Sequence, residues 1–105
     1  MTEEPNGQTG GPTGGEKYTL HLYVAGEGPR TSRAVENLQR ICREHLDDRY
    51  EIEVTDISEN PEAAAEQDIV AVPTLVKKLP PPLRRVIGDL SRTEKVLVGL
   101  EIETV

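Results

Sequence analysis

Three consecutive prolines interrupt an apolar stretch in the second half of this chain. Residues 69–90 read IVAVPTLVKKLPPPLRRVIGDL, so that Pro80, Pro81 and Pro82 separate two runs rich in aliphatic side chains. Because proline has no amide donor and a φ of about −65°, none of the three can continue a central strand, and the chain must turn there. Pro73 stands at the start of a run of strand-forming residues, where a cis peptide bond costs only about 0.5–1 kcal/mol. This block predicts a β-hairpin with Pro73 at its entrance.

The first half of the chain alternates strand and helix patterns. Residues 17–25 and 50–57 each alternate apolar and polar side chains, a pattern typical of strands. Between them, apolar residues recur every three or four positions around Leu38, and Thr31 or Ser32 is the predicted cap of that helix. Strand, helix and strand with short links predict a right-handed βαβ unit with parallel strands.

The second half adds two helices to the hairpin. Asn60 and Pro61 predict the start of a short helix that ends near Asp68. Ser91 begins an S-x-x-E capping box, which predicts a final helix over residues 95–102. The resulting order, βαβαββα, is that of a thioredoxin-like α/β domain.

Length and charge restrict the class of protein. The 105 residues suffice for one modest core, and we predict a single domain over residues 17–105. Residues 1–16 hold almost nothing apolar and are predicted to form a disordered tail rich in Gly, Thr and Pro. The net charge of −7 argues against a nucleic-acid partner. No apolar stretch approaches the roughly 20 residues of a membrane helix, so a soluble cytoplasmic protein is predicted.

No catalytic, cofactor or metal motif is recognisable in the sequence. Cys42, the single cysteine, falls on the apolar stripe of the first helix and is predicted to be a small buried hydrophobe. His21 and His45 have no partner residues at a metal-binding spacing. A thioredoxin would place its reactive cysteines after the first strand, where residues 25–30 read AGEGPR. We therefore predict a protein that is not an enzyme and holds neither cofactor nor metal.

Basic residues flank the three prolines in this otherwise acidic chain. Lys77 and Lys78 precede them, and Arg84 and Arg85 follow. Such a cluster either protects an edge strand from aggregation or faces an acidic surface on a protein partner. Composition leaves both interpretations open.

The chain resembles the KaiB family of circadian clock proteins. The resemblance rests on LYVAG at residues 22–26, NP at residues 60–61, PTLVKKLPPPLRRVIGDLS at residues 73–91 and EKVLVGL at residues 94–100. It implies a non-enzymatic adaptor that binds the KaiC ATPase ring, regulates KaiC phosphorylation and timing output, and recruits KaiA or output histidine kinases. It also implies a metamorphic protein, in which a thioredoxin-like monomer binds KaiC and a homotetrameric or dimeric ground state has the order βαββααβ.

The resemblance also assigns roles to individual residues. Partner binding falls by motif position on Arg33, Lys77, Arg84 and Arg85. Fold switching is assigned to Pro73, Pro80, Pro81, Pro82 and Gly99. Isomerisation of prolines, which takes about tens to hundreds of seconds unassisted, suits a slow exchange between two folds.

Alternative functions stay open at this level. Glu53 and Asp68 stand where cyanobacterial members tend to have lysine, so the partner system could be an hourglass timer or a stress response built on a KaiC-like ATPase. A redox-inactive thioredoxin-like or glutathione-transferase-like domain with a small thiol ligand beside Pro73 is a second reading, although a transferase needs a helical second domain. A third is the sensor module of a clock histidine kinase, which would need a kinase sequence after Val105.

Gly99 gives the first testable prediction. Within a helix, glycine is less favourable than alanine by about 1 kcal/mol. Gly99→Ala is therefore predicted to strengthen the last helix and to raise the monomeric, KaiC-competent population, measured by size-exclusion chromatography. An unchanged monomer fraction would contradict this.

Overall fold

The predicted order of elements is confirmed in the computed structural model, which describes residues 17–46 and 49–102. The predicted tail, residues 1–16, lies outside the described residues. The elements are β1 (Tyr18–Val24), α1 (Pro29–His45), β2 (Tyr50–Asp56), α2 (Pro61–Glu66), β3 (Thr74–Leu79), β4 (Arg84–Ile87) and α3 (Thr93–Gly99).

The strands form one mixed sheet in the order β2-β1-β3-β4. β1 pairs with β2 in parallel, as predicted, and with β3 in antiparallel orientation. β3 and β4 form the antiparallel hairpin predicted from the proline block. In this register Leu22 lies between Val54 on one side and Leu75 on the other. β1 is therefore a central strand, and β2 and β4 are the edges of the described sheet.

The hydrophobic core lies between one face of this sheet and the helices α1 and α3. Alternate residues of β1 point into it, because successive side chains of a strand face opposite sides. The buried core residues are Tyr18, Leu20, Leu22, Val24, Ala34, Leu38, Ile41, Cys42, Leu46, Leu75, Leu90, Val96, Leu100 and Ile102. The predicted burial of Cys42 is confirmed.

The start of α1 differs from the prediction. The helix begins at Pro29, and neither Thr31 nor Ser32 caps it. Proline suits the first helical position because its missing amide has no partner there anyway. The hydroxyl of Thr31 instead donates a hydrogen bond to the carbonyl of Gly26 at 3.0 Å, which ties the β1–α1 loop to the first turn.

The apolar run before the prolines is only partly a strand. β3 begins at Thr74, and Val70 in the preceding loop is 87% exposed. The peptide bonds Val72–Pro73, Leu79–Pro80 and Pro81–Pro82 are cis. The three consecutive prolines thus occupy the turn between β3 and β4, as the sequence predicted.

The predicted capping box at the start of α3 is wrong. Arg92 is the N-cap residue, and no described side chain caps this end. The amide of Ser91 instead donates a hydrogen bond to Asp89 Oδ1 at 3.1 Å. Ser91 therefore belongs to a turn that precedes the helix.

The end of α3 is also earlier than predicted. The helix ends at Gly99, and Glu101 has a left-handed φ of 56°. The amide of Ile102 donates to the carbonyl of Leu97 at 2.9 Å and that of Glu101 to Val98 at 3.1 Å. This is the Schellman arrangement, which satisfies the last carbonyls of a helix.

Left-handed backbone at non-glycine residues is concentrated in the second half of the described chain. Asp68, Leu90 and Glu101 have φ values of 55°, 66° and 56°. For residues with a side chain this conformation costs roughly 1–2 kcal/mol each. The described part of the β1–α1–β2 unit contains none, so local strain is confined to the half that follows it.

The structure shows a close approach at Gly99 that the sequence did not reveal. A Cβ atom at this position would lie 2.8 Å from Cγ2 of Val86 on β4, so any side chain here requires Val86 to shift. The gain in helix propensity expected for Gly99→Ala is therefore opposed by crowding between α3 and β4.

We predict a favourable coupling between Gly99→Ala and Val86→Ala. Shortening Val86 removes the methyl group that the new Cβ would meet, so Gly99→Ala should be better tolerated in the Val86→Ala background by about 0.5–3 kcal/mol, the range for residues in contact. Urea unfolding of the two single variants and the double variant measures this coupling. Strict additivity would show that the close approach has no energetic weight.

Candidate functional site

Two of the four residues assigned to partner binding, Arg84 and Arg85, lie at the outer edge of the sheet, on β4. Arg84 and Arg85 are exposed on this strand, and Leu83 and Ile87 beside them are 46% and 56% exposed. We call these four residues the β4 edge. Among the described strands, β4 has a neighbour on one side only, so its other side presents unpaired backbone groups. The β4 edge combines positive charge, apolar area and free hydrogen-bonding groups.

Arg84 forms an ion pair that solvent screens. Its Nε donates to Oε2 of Glu101 at 2.8 Å, and the two side chains are 47% and 48% exposed. Exposed pairs of this kind contribute about 0–1 kcal/mol to stability. A carboxylate on a partner could replace Glu101 at little cost to the fold.

Arg85 ties the β4 edge to the end of α2. Its Nη1 donates to the carbonyls of Gln67 at 3.0 Å and Asp68 at 3.3 Å, at the C-terminus of that short helix. A cation at this end interacts favourably with the unpaired carbonyls and the helix dipole. Arg85 therefore has a structural role as well as an exposed charge.

Arg33 lies apart from the strand, on α1, yet close to the end of β4. Its Nη1 is 3.6 Å from Oδ2 of Asp89, which follows β4 by two residues. Hydrogen bonds from the hydroxyl and amide of Ser91, with Arg33 nearby, lower the pKa of Asp89. Three of the four assigned residues are thus exposed around β4 and the turn that follows it.

The fourth assigned residue, Lys77, is not on the accessible surface of this structure. It is only 1% exposed and lies opposite Leu20 and Arg84 in the sheet register. An irregularity in the β1–β3 pairing falls beside it, between the partners of Thr19 and Leu20. In this conformation the Lys77 side chain is buried inside the domain. Lys78, which is half-buried, is the more accessible of the two lysines.

The loop after β1 is built without a nucleophile. The amide of Gly26 donates to Asp56 Oδ1 at 2.9 Å, which fixes this loop to the end of β2. Beside it, Ala25, Arg30, Thr31, Val72 and Pro73 line a cleft of about 190 Å³. A thioredoxin would carry its cysteines here, and this chain offers no thiol.

Cys42 lies on α1 and does not line this cleft. It is buried in the core, and burial raises the pKa of its thiol to about 12. The nucleophile in thiol exchange is the thiolate, so Cys42 is inert at neutral pH.

The histidines do not form a metal site in the part of the chain that the structure describes, where no cluster of three or more His, Cys, Asp or Glu residues could hold an ion. The His21 ring stacks on Tyr23 with 4.2 Å between ring centroids and bonds to the Thr55 hydroxyl at 2.7 Å. Burial, followed by the charge of Lys78, lowers the pKa of His21, and Glu53 opposes this.

Within the described ranges, no helix is long and apolar enough to cross a membrane.

Sequence reasoning missed the acidic residues that organise these surfaces. Asp56 accepts hydrogen bonds from the amides of Gly26 and Ser58 at 2.9 Å, and these bonds lower its pKa, with Gly26 contributing most. Asp89 and Glu101 pair with two of the arginines. Both Asp56 and Asp89 stand two residues before a serine. This pattern could have indicated their role, because aspartate side chains often accept a hydrogen bond from the backbone amide two residues on.

Solved structures with a similar fold include thioredoxins and one clock protein domain. Mitochondrial thioredoxin 3 from Saccharomyces cerevisiae matches with a TM-score of 0.64 at 17% identity, covering 82% of this chain and 78% of that chain. The N-terminal domain of Synechococcus elongatus SasA matches with a TM-score of 0.64 at 19% identity, covering 94% and 99%. The chain is therefore a thioredoxin-like α/β domain whose β1–α1 loop lacks cysteine.

Sequence comparison narrows this class to one family. The KaiB domain matches residues 21–102. Circadian clock protein KaiB3 of Synechocystis sp. is 50% identical over 86 residues, which cover 82% of this chain and 84% of that relative. Circadian clock oscillator protein KaiB of Microcystis aeruginosa is 49% identical over 85 residues, covering 81% and 82%. The chain belongs to the KaiB family of circadian clock proteins, as the sequence resemblance predicted.

We predict that Cys42 resists thiol reagents in the folded protein. With 5,5′-dithiobis(2-nitrobenzoate) at pH 8, the native chain should release almost no thionitrobenzoate until guanidinium unfolds it, because the thiol is buried and protonated. Ala25→Cys is the matched control, since Ala25 is exposed in the loop that lacks the cysteines. The Ala25→Cys variant should release one equivalent of thionitrobenzoate per chain as fast as a free thiol in solution does. Equal fast labelling of both proteins would show that the Cys42 site opens readily.

Proposed function

We propose that this chain is a non-enzymatic clock adaptor that binds the ATPase ring of a KaiC-type protein in the thioredoxin-like conformation, and thereby regulates KaiC phosphorylation and timing output. The observation that carries the proposal is the combination of a thioredoxin-like fold whose β1–α1 loop has no cysteine with an exposed basic edge. In a chain of net charge −7, the β4 edge is a local exception that suits an acidic protein surface.

The contacts of the β4 edge support exchange with a partner. Arg84 pairs with the exposed Glu101 carboxylate and Arg33, itself exposed, with the half-buried carboxylate of Asp89, and surface ion pairs contribute about 0–1 kcal/mol. Leu83 and Ile87 offer apolar side chains whose burial on docking adds free energy at about 25 cal/mol per Å². A partner can therefore capture these arginines without first breaking a strong internal interaction. The inaccessibility of Lys77 leaves Arg33, Arg84 and Arg85 as the proposed binding residues.

The proposal includes a change of fold in the second half of the chain. The three strained residues Asp68, Leu90 and Glu101 all lie in that half, whereas the described part of the β1–α1–β2 unit is free of left-handed non-glycine backbone. Local strain reduces the free-energy gap to an alternative pairing, such as the βαββααβ ground state and its homotetramer or dimer. Pro73, Pro80, Pro81, Pro82 and Gly99 remain the proposed switch positions. KaiA and output histidine kinases are the proposed further partners.

Acidic Glu53 and Asp68 favour a partner system that differs from the cyanobacterial oscillator. Both side chains are exposed, so they change the charge of the surface that a partner meets. An hourglass or stress-response system built on a KaiC-like ATPase is therefore included in the proposal.

The decisive experiment is capture by the cognate KaiC-type ring. Wild type should be retained by the immobilised ring, and Arg84→Glu/Arg85→Glu should bind at least about tenfold more weakly, because reversing charges that face an acidic partner costs more than 1.4 kcal/mol. Lys17→Glu/Arg43→Glu is the matched control. It makes the same change in net charge at exposed positions outside β4 and should bind like wild type.

Far-UV circular dichroism verifies that each variant is folded. Equal capture of the two double variants would remove the β4 edge from the interface. Failure of wild type to bind the ring in any nucleotide state would overturn the adaptor proposal itself.

A further inference from the structure

Three polar side chains on one stripe of α1 contact the connection between β4 and α3 or the first residue of α3. Asn37 Nδ2 donates to the carbonyl of Asp89 at 2.8 Å. Arg40 Nη1 donates to Oγ1 of Thr93 at 3.2 Å, and Arg33 lies 3.6 Å from the Asp89 carboxylate. The spacing of four and three residues places all three on the same face of the helix. We call Arg33, Asn37 and Arg40 the α1 clasp.

The segment that the α1 clasp holds has an unusual backbone. Gly88 and Leu90 have φ values of 126° and 66°. The carboxylate of Asp89, which lies between these two residues, accepts a hydrogen bond from the amide of Ser91. The Leu90 side chain is 3% exposed and packs into the core, so this residue adopts a left-handed conformation while burying an aliphatic side chain. Leucine seldom adopts this conformation unless its surroundings impose it.

The α1 clasp also joins the two halves of the domain. Side-chain bonds such as that of Gly26 to Asp56 in the first half and that of Arg84 to Glu101 in the second each stay within one half. The α1 clasp runs instead from the helix of the βαβ unit to residues 89–93 of the strained half. Asn37 and Asp89 are both half-buried, which strengthens their hydrogen bond relative to one in open water.

We propose that the α1 clasp is a latch that holds β4 and α3 in this fold, and that its release frees them as a unit while β1, α1 and β2 stay intact. The strained connection opens once Asn37 no longer binds the Asp89 carbonyl and Arg40 no longer binds Thr93 at the start of α3. The inference deepens the proposed function and rests on it in one respect only: it names the contacts that would bias the fold change. The latch itself can be tested without any partner.

Native-state hydrogen exchange followed by NMR tests the latch with Asn37→Ala. Amides of the second half, represented by Val96 and Leu100, should exchange about fivefold faster, the factor expected from losing one hydrogen bond. Amides of the first half, represented by Leu46 and Ile57, should keep their wild-type rates. Alanine is a better helix former than asparagine, so the substitution itself does not weaken α1.

Two further variants make the result specific. Gln39→Ala removes an amide side chain from an exposed position on the same helix and should leave every rate unchanged. Thr93→Ala removes the acceptor of Arg40 from the other side and should accelerate the same second-half amides as Asn37→Ala.

Two outcomes would overturn the latch. One is equal acceleration in both halves, which would mean that Asn37 only contributes to global stability. The other is no acceleration in the second half of the folded variant. Neither depends on ring capture, so a latch that fails and an adaptor function that fails are distinguishable.

Discussion

The burial of one face of β1 is the constraint on which the rest of the structure depends. Leu20 and Leu22 are 1% and 0% exposed, and burying a leucine contributes about 1.5–3 kcal/mol. Neighbours are needed on three sides to achieve this: β2 and β3 along the two edges of the strand, and α1 with α3 above it. These neighbours come from both halves of the chain, so both halves must dock on the same strand.

The two halves meet this constraint by different means. The first is a βαβ unit with regular backbone and parallel pairing over the full length of β1 and β2. The second half contributes Leu75, Leu90, Val96 and Leu100 to the core. Its backbone includes left-handed non-glycine residues, and its surface includes the exposed ion pair of Arg84 with Glu101. We propose that its docking is for this reason more easily exchanged, in keeping with a domain whose proposed role is to respond to a large partner.

Much of the fold could be predicted because its signals are local. Alternation along residues 17–25 and 50–57, the helical stripe around Leu38 and the three prolines each depend on neighbouring residues only. Helix boundaries were less accurate: the S-x-x-E match beginning at Ser91 is not used, because Leu90 turns the chain and commits the Ser91 amide to Asp89. A short motif cannot show that its backbone group is already bonded elsewhere.

The candidate site divides along the same line. Arg84 and Arg85 are exposed on the predicted hairpin, whereas Lys77, which the sequence places beside equally basic residues, is buried by its register opposite Leu20. Crowding between Gly99 and Val86 was likewise invisible from the helix pattern.

The sequence by itself determined the order of elements, the place of the turn, the absence of a thiol in the loop after β1 and the family. Those properties follow from residue type and from spacings of two to four positions. Only the tertiary structure decided which lysine is buried, which carboxylates hold the arginines, and that α1 is fastened to the strained connection before α3. These depend on strand register and on contacts between residues about fifty positions apart, as from Asn37 to Asp89, and no local pattern specifies them.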